Sequence, residues 1–376
     1  MPSYDDDLLA EVRLSTVRGV GPRIRLRLIE AFGSAEGVLV GNASRLQSVR
    51  GVGQAVATAI GKAPDREAAT KMLEEAEAYG VRVLTPAMAE YPPGLREIHD
   101  PPAVLYCRGR IAPEDARAVA IVGTRRATRY GLRQTEELAR GLAQAGVTVV
   151  SGLARGVDGV AHRAALEAGG RTLAAMAGGL SRIYPPEHAP LADQVAQRGA
   201  LLAEAPPPMP PMSGSFPQRN RIISGLSLGV LVIEAAERSG ALITARHAAE
   251  QGRDAFALPG PIDSPQSRGC HRLIQEGAKL ITSIDDLLEE IDCLAALRAP
   301  AAPAAMASAP PRQPEPAVDW PEPEGSLLAA IGVESTSVDS LVEQTGLPVE
   351  RVLAGLSRLE AGGAVRRLSG VSVCLT

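Results

Sequence analysis

Between positions 81 and 282 the chain repeats one unit: a short apolar run, a turn rich in glycine, then an amphipathic stretch. The runs are Val81–Thr85, Val104–Arg108, Val119–Gly123, Val147–Ser151, Thr172–Ala177, Ala200–Glu204, Leu228–Glu234, Ala255–Leu258 and Leu280–Thr282. Several are apolar throughout rather than alternating, the mark of strands covered on both faces. The spacing predicts helices over Leu132–Ala145, Val157–Ala168, Ala189–Arg198, Ala241–Gln251 and Ser267–Glu276. Gly146, Gly169 and Gly252 stand where helix C-caps are expected. Regular β–α alternation of this kind has one economical solution, an α/β doubly wound, mostly parallel sheet.

The flanks read differently. VRGVG occurs at Val17–Gly21 and again at Val49–Gly53, each copy leading into an amphipathic stretch, Pro22–Phe32 and Gln54–Lys62. A Gly-apolar-Gly hairpin between short helices is the helix-hairpin-helix pattern, whose backbone N–H groups suit a phosphate oxygen. The first copy carries Arg18, Arg23, Arg25 and Arg27 and the second is much less basic, so the pair also reads as a purely structural helical module. A helix over Asp65–Tyr79 leads into the central domain. Pro/Ala-rich sequence over Arg298–Pro323 cannot form a core and reads as a linker. Beyond it, helices are expected at Ser326–Gly332, Val338–Thr345 and Val349–Ala361, followed by a hairpin, the winged-helix plan. Six Asp/Glu against four Arg in that tail favour protein contact or weak duplex binding over tight DNA reading. The expected domains are thus 1–80, 81–297 and 324–376, with the linker at 298–323.

In a doubly wound sheet, ligands gather at the carboxyl ends of the strands. Gly123–Gly131, GTRRATRYG, offers a glycine turn, hydroxyls and arginines before a helix, an anion cradle. Neither GxxxxGK[ST] nor GxGxxG is present there, which removes support for NAD, ATP and GTP. Ser151–His162, SGLARGVDGVAH, places Asp158 and His162 on one helix face, as a base and its orienter, as metal ligands, or as a structural hydrogen-bonded pair. Gly178–His188 carries Tyr184 as a stacking platform or a packed loop aromatic. Ser215–Ser227, SFPQRNRIISGLS, sets Phe216, Arg219, Asn220 and Arg221 before an apolar run. Arginine forks grip phosphates, a ring accepts a stacked base and an amide reads a base edge; the alternative is a solvated helix entry. Ser239, Gly240 and Thr244 start a further helix after Glu234. Little acid–base machinery accompanies these groups. The set suits an extended polyanion, and with a net charge of −4 the binding must be confined to one groove. The four cysteines are scattered without CxxC spacing, which points to a reducing compartment and no zinc ribbon. No run of 18 apolar residues and no signal-peptide pattern occur, so a soluble, cytoplasmic protein is expected, without membrane, metal or cofactor.

At these residues the chain resembles the DNA-processing protein A family, also called Smf or DprA. VAIVGTRRATRYG, VSGLARGVDGVAH, GGLSRIYPPEH, FPQRNRIISGLS, VIEAAERSGALITARHAAEQGRDAFALPG and GCHRLIQEGAKLI follow the family's order over roughly Tyr91–Ile291. The resemblance implies an extended Rossmann-like fold, with a helix-hairpin-helix/SAM-like module and a winged helix. It also implies a homodimer that binds single-stranded DNA, protects incoming strands in natural transformation and loads a RecA-type recombinase, with no catalysis. By motif match Arg125, with Arg126 beside it, corresponds to the family's phosphate contact. Phe216 holds the stacking position with Arg219, Asn220 and Arg221 alongside, and Gly123, Thr124, Gly152 and Gly179 shape the groove. Two departures stand out: Pro186 where many members carry lysine, and His271, beside the implied dimer surface, where many carry asparagine. The alternative is an enzyme, a nucleotide phosphoribohydrolase of the Rossmann-like kind, built on Glu234 and the SGALIT helix start; the PGGxGT signature of such enzymes is absent.

Overall fold

The computed structural model describes residues 4–291, 294, 320–331, 336–362, 364–369 and 372–375. The expected linker falls almost wholly outside them. The described residues form two compact units, Met1–Ala299 and Pro300–Thr376.

In the first unit, α1 (Asp6–Ser15), α2 (Pro22–Phe32), α3 (Ala35–Leu39), α4 (Ala43–Gln47), α5 (Gln54–Ile60) and α6 (Arg66–Ala78) precede the sheet. Then come β1 (Arg82–Leu84), α7 (Pro93–Arg96), β2 (Leu105–Gly109), β3 (Ala118–Val122), α8 (Arg129–Gln144), β4 (Thr148–Ser151), α9 (Val157–Glu167) and β5 (Thr172–Met176). They are followed by α10 (Ala189–Arg198), β6 (Ala200–Ala203), α11 (Ser215–Gly225), β7 (Gly229–Val232), α12 (Gly240–Glu250), β8 (Asp254–Ala257), α13 (Arg268–Gln275), β9 (Lys279–Leu280) and α14 (Ile284–Glu290). The nine strands lie in the order β1-β2-β6-β5-β4-β3-β7-β8-β9. Pairing from β6 through β9 is parallel, while β2 runs antiparallel to β6 and β1 antiparallel to β2. The chain steps outward from β3 to β6, returns through α11 to place β7 beside β3, and continues to β9. That reversal opens a crevice at the carboxyl ends of β3 and β7.

Side chains on β3 alternate between two cores. Ala118, Ala120 and Val122 face the layer of α11 and α12, whereas Val119 and Ile121 face α8, α9 and α14. Helix α8 ends in a glycine cap: Gly146 sits at φ 75°, and the Val147 N–H reaches back to the Leu142 carbonyl at 2.9 Å, turning the chain directly into β4. The helical module is not a free-standing unit. Leu9 and Val12 of α1 and Ala69, Leu73 and Ala76 of α6 share a core with Tyr106, Ala174, Met176 and Leu201 of the sheet. A second core, around Leu14, Leu28, Val38 and Ile60, holds the two hairpins together.

The second unit contains α15 (Glu324–Ala330), β10 (Thr336–Ser337), α16 (Val338–Thr345), α17 (Val349–Ala361), β11 (Val365–Ser369) and β12 (Ser372–Leu375), with sheet order β10-β12-β11. Leu327, Leu341, Val352, Leu356 and Leu359 form its core. This is a winged helix. On α17, the Arg358 Nε is paired with the buried Glu324 at 2.7 Å, and Val349 and Leu353 are exposed.

At the amino ends of the strands, far from the crevice, buried Asp115 gathers four donors. The Thr148 hydroxyl and the Arg171 Nε donate to Oδ1, and the Ala112 N–H and the Arg171 Nη2 to Oδ2, at 2.8–2.9 Å. Removing a buried carboxylate strands all of them. Asp115→Ala is expected to lower stability by about 2–4 kcal/mol, read from the urea unfolding of the sheet domain.

Candidate nucleic-acid interface

Loops after β3, β4 and β5 meet the first turn of α11 at the crevice. Thr124 is fixed by backbone on both sides: its N–H donates to the Glu234 carbonyl at 2.8 Å, and its own carbonyl accepts from the Val157 N–H. Glu234, buried at the end of β7, spends both carboxylate oxygens on this loop, accepting the Thr128 N–H at 2.8 Å and the Thr128 hydroxyl at 2.5 Å. The Thr128 oxygen in turn caps α8 by accepting from the Gly131 N–H. Residues 124–128 are therefore rigid where Arg125 and Arg126 leave them, both exposed to solvent. A carboxylate occupied in this way braces the loop.

The Arg125 guanidinium lies over the Phe216 ring at 5.0 Å. The Tyr184 ring meets Phe216 edge-on, 6.0 Å between centroids and 67° between planes. Arg155 and Arg182 line the same cavity with Gly152 and Gly178. Arg155 is paired with Glu187 at 2.5 Å, both half-exposed, while among the described residues no carboxylate pairs with Arg125 or Arg182. Sequence reading missed Arg155 and Arg182; each sits three residues after a glycine at a strand end, Gly152 and Gly179, a signal close to the one that singled out Arg125 two residues after Gly123.

Beneath the rings, Arg219 is buried, with its Nη1 donating to the Gly152 carbonyl at 2.7 Å and also to the Ala175 carbonyl. Gly152 must be glycine: a Cβ there would sit 2.6 Å from the Arg219 Cζ. Next to it, buried Leu153 adopts the left-handed conformation at φ 56°, a strained choice for a leucine. This tight turn aims the Gly152 and Ala154 N–H groups at Asp158 Oδ2, at 3.1 and 3.4 Å. Burial raises the Asp158 carboxyl, opposed by the Arg219 charge and those two N–H bonds. Burial also pulls Arg219 down to about 10, opposed by Asp158, so it remains cationic at neutral pH.

Three expectations about α11 need correction. Ser215–Gly225 is a helix from its first residue, not a polar entry to one. Arg219 and Arg221 were expected to share phosphates with Arg125, yet both are buried and engaged: Arg219 as above, Arg221 with Glu204 at 2.5 Å and Asp100 at 3.7 Å. Asn220, expected to lie alongside the stacked base, is also buried and donates to the Gly240 carbonyl at 3.1 Å, tying α11 to α12. Side chains one turn apart on a helix share a face, so the buried arginine sits under the ring three residues before it. Gly123 packs on Val157 and Gly179 on the Pro206 carbonyl, both shaping loops behind the cavity. Asp158 and His162 make separate bonds instead of pairing with each other. His271 bonds the Gly260 carbonyl at 2.9 Å. Among the described residues no helix is long and apolar enough to cross a membrane.

Fold and site define a class: a doubly wound α/β protein with a helical module and a winged helix, whose strand ends present guanidinium and aromatic groups around one cleft. The chain belongs to the DNA recombination-mediator protein A family, whose model matches residues 82–292. The DprA winged helix domain matches 302–371 and the SAM-like helix-hairpin-helix tandem 11–62. Protein Smf of Escherichia coli is 45% identical over 289 residues, 76% of each chain. The X-ray structure of DNA processing protein A from Streptococcus pneumoniae superposes with a TM-score of 0.65 at 34% identity, covering 77% of this chain and 99% of that one. DNA processing protein A from Helicobacter pylori, described for its unique single-stranded DNA binding mode, superposes at 0.50 with 33% identity, covering 57% and 95%.

Buried His162, on α9 against the start of β5, gives the stability of the sheet domain a pH dependence. The Thr172 hydroxyl donates to the Val149 carbonyl at 2.7 Å, so its oxygen accepts from the His162 Nδ1–H, also at 2.7 Å. Nε2 is left bare and without a partner. Burial, with His188, Arg219 and Arg163 nearby, lowers His162 from 6.5 to about 3. The unfolded chain therefore binds the extra proton first as pH falls through 6.5, and stability drops toward pH 3. From neutral pH to pH 5 this group removes about 2 kcal/mol. His162→Asn, which keeps a donor near the Nδ1 position, is expected to cost about 1–2 kcal/mol at pH 7. It should also flatten the decline to pH 5, as read from urea midpoints of both proteins at both pH values.

Proposed function

We propose that this protein binds single-stranded DNA along the carboxyl edge of its sheet, without catalysis, as a homodimer that protects incoming strands in natural transformation and loads a RecA-type recombinase onto them. The observation that carries the DNA reading is the Arg125–Phe216–Tyr184 cluster. A ring clamped between a cation and a second ring offers a base a stacking surface without reading its edges. Arg125 and Arg182, unpaired with carboxylates among the described residues, are placed for the phosphates on either side. The relative from Helicobacter pylori, whose structure concerns single-stranded DNA binding, supports the same ligand. The homodimer, recombinase loading and transformation parts of the reading rest on family membership.

With Arg219 and Arg221 buried, fewer groups than expected from sequence reach the ligand, so affinity should depend steeply on Arg125 and Phe216. Fluorescence anisotropy with single- and double-stranded oligonucleotides over a salt series tests this. Phe216→Ala is expected to cost about 1–3 kcal/mol of single-strand affinity. Arg125→Ala is expected to weaken binding and lower the slope of log K against log salt by about 0.7. A preference for duplex, or wild-type binding by both variants, overturns the reading.

A further inference from the structure

One ion pair at the rim of the Arg125–Phe216 cavity has no part in the function proposed above. Arg155, on the loop after β4, donates through Nε to Glu187 Oε1 at 2.5 Å, with the two side chains 52% and 49% exposed. Glu187 stands on the one-turn helix Pro186–His188 that follows β5. Its neighbour His188 joins the same two loops a second time, the Nδ1–H donating to the Leu153 carbonyl at 2.9 Å. The loops are therefore held together without the ion pair, and a pair this exposed adds little to folding stability.

Its placement points to another role. Arg125, Arg155 and Arg182 are the exposed cations that line the cavity, and among the described residues no carboxylate lines it. Arg125 and Arg182 pair with no carboxylate among the described residues, whereas Arg155 is taken by Glu187, which reaches it from outside the cavity. The cavity has a volume of about 20 Å³, room for little more than one water, so a ligand is admitted only as groups at its rim give way. Glu187 offers Arg155 what a phosphodiester offers, one negative charge spread over two oxygens, and a guanidinium fork grips either. A strand already held at Arg125 and Phe216 brings its next phosphate to Arg155 at high effective concentration, and so competes with a tethered carboxylate.

We propose that Glu187 is a built-in competitor of the DNA backbone: in the free protein it occupies Arg155 as a phosphate would, and the arriving strand takes the guanidinium from it. Arg155 is then a third phosphate contact beside Arg125 and Arg182, and Glu187 sets how tightly the strand is held. This proposal rests on the single-stranded DNA reading and deepens it.

The test uses the full chain and fluorescence anisotropy with oligo-dT at one low salt concentration, on wild type, Glu187→Gln, Arg155→Gln and the double variant. Both side chains are exposed, and unchanged thermal midpoints check the folds. Glu187→Gln is expected to bind about two- to fivefold more tightly than wild type, the strength of an exposed pair that no longer has to be broken. Arg155→Gln is expected to bind more weakly. The two effects are coupled: removing the carboxylate should gain less in the Arg155→Gln background, where there is no pair to break. A carboxylate that only repels the strand predicts the reverse, because without Arg155 its charge is uncompensated. No gain from Glu187→Gln, or a gain as large in the Arg155→Gln background, overturns the proposal. As a second measurement, the Arg155 Nε–H resonance, assigned by its absence from Arg155→Gln, is expected to move when oligo-dT is added to wild type; a resonance that stays in place also overturns it. Failure of wild type to bind, or wild-type binding by both Arg125→Ala and Phe216→Ala, overturns the DNA reading itself.

Discussion

The buried guanidinium of Arg219 is the fixed point of the binding surface. It joins α11 to the ends of two neighbouring strands through the carbonyls of Gly152 and Ala175, with Asp158 as its counter-charge. Burying an arginine is costly unless every donor finds an acceptor, and leaving its partners behind costs several kcal/mol. The loop after β4 is shaped to meet that demand: Gly152 leaves room for the guanidinium, Leu153 takes a strained turn, and two N–H groups satisfy Asp158. Phe216 lies one helical turn before Arg219, so its position over the cleft follows from the same anchor.

Two other buried groups set the remaining edges. Glu234 holds the loop that carries Arg125, and Asn220 holds the start of α12. This is how a chain of net charge −4 can present a cationic cleft: many of its arginines are consumed in ion pairs, while Arg125 and Arg182, without a carboxylate partner among the described residues, stand where the loops converge. In the winged helix, on α17, Arg358 is tied to Glu324 and the exposed positions include Val349, Arg351 and Leu353.

Much of the fold was legible in the sequence because its signals are local. Continuous apolar runs marked the strands from β1 to β9, and glycine at Gly146 marked the end of α8 through a left-handed cap. Helices α16 and α17 fall on their expected residues, since their apolar spacing and flanking turns suffice to place them. Strand order is a different kind of fact. That β7 returns to lie beside β3, and that β2 joins β6 antiparallel, depends on pairings between segments far apart in the chain.

The same division runs through the site. Sequence by itself determined the alternating α/β plan, the appended helical and winged-helix modules, the glycine turns at strand ends, and Arg125, Tyr184 and Phe216 as candidates; that the three meet in one cluster is a tertiary fact. Only the tertiary structure decided which arginines are available. Arg219 and Arg221 read in sequence like Arg125, as cations beside polar neighbours, yet they are buried and partnered while Arg125 is exposed. The reason is physical: a guanidinium has the same chemistry wherever it stands, and whether it meets a backbone carbonyl, a carboxylate or a ligand depends on what the fold brings within hydrogen-bond reach.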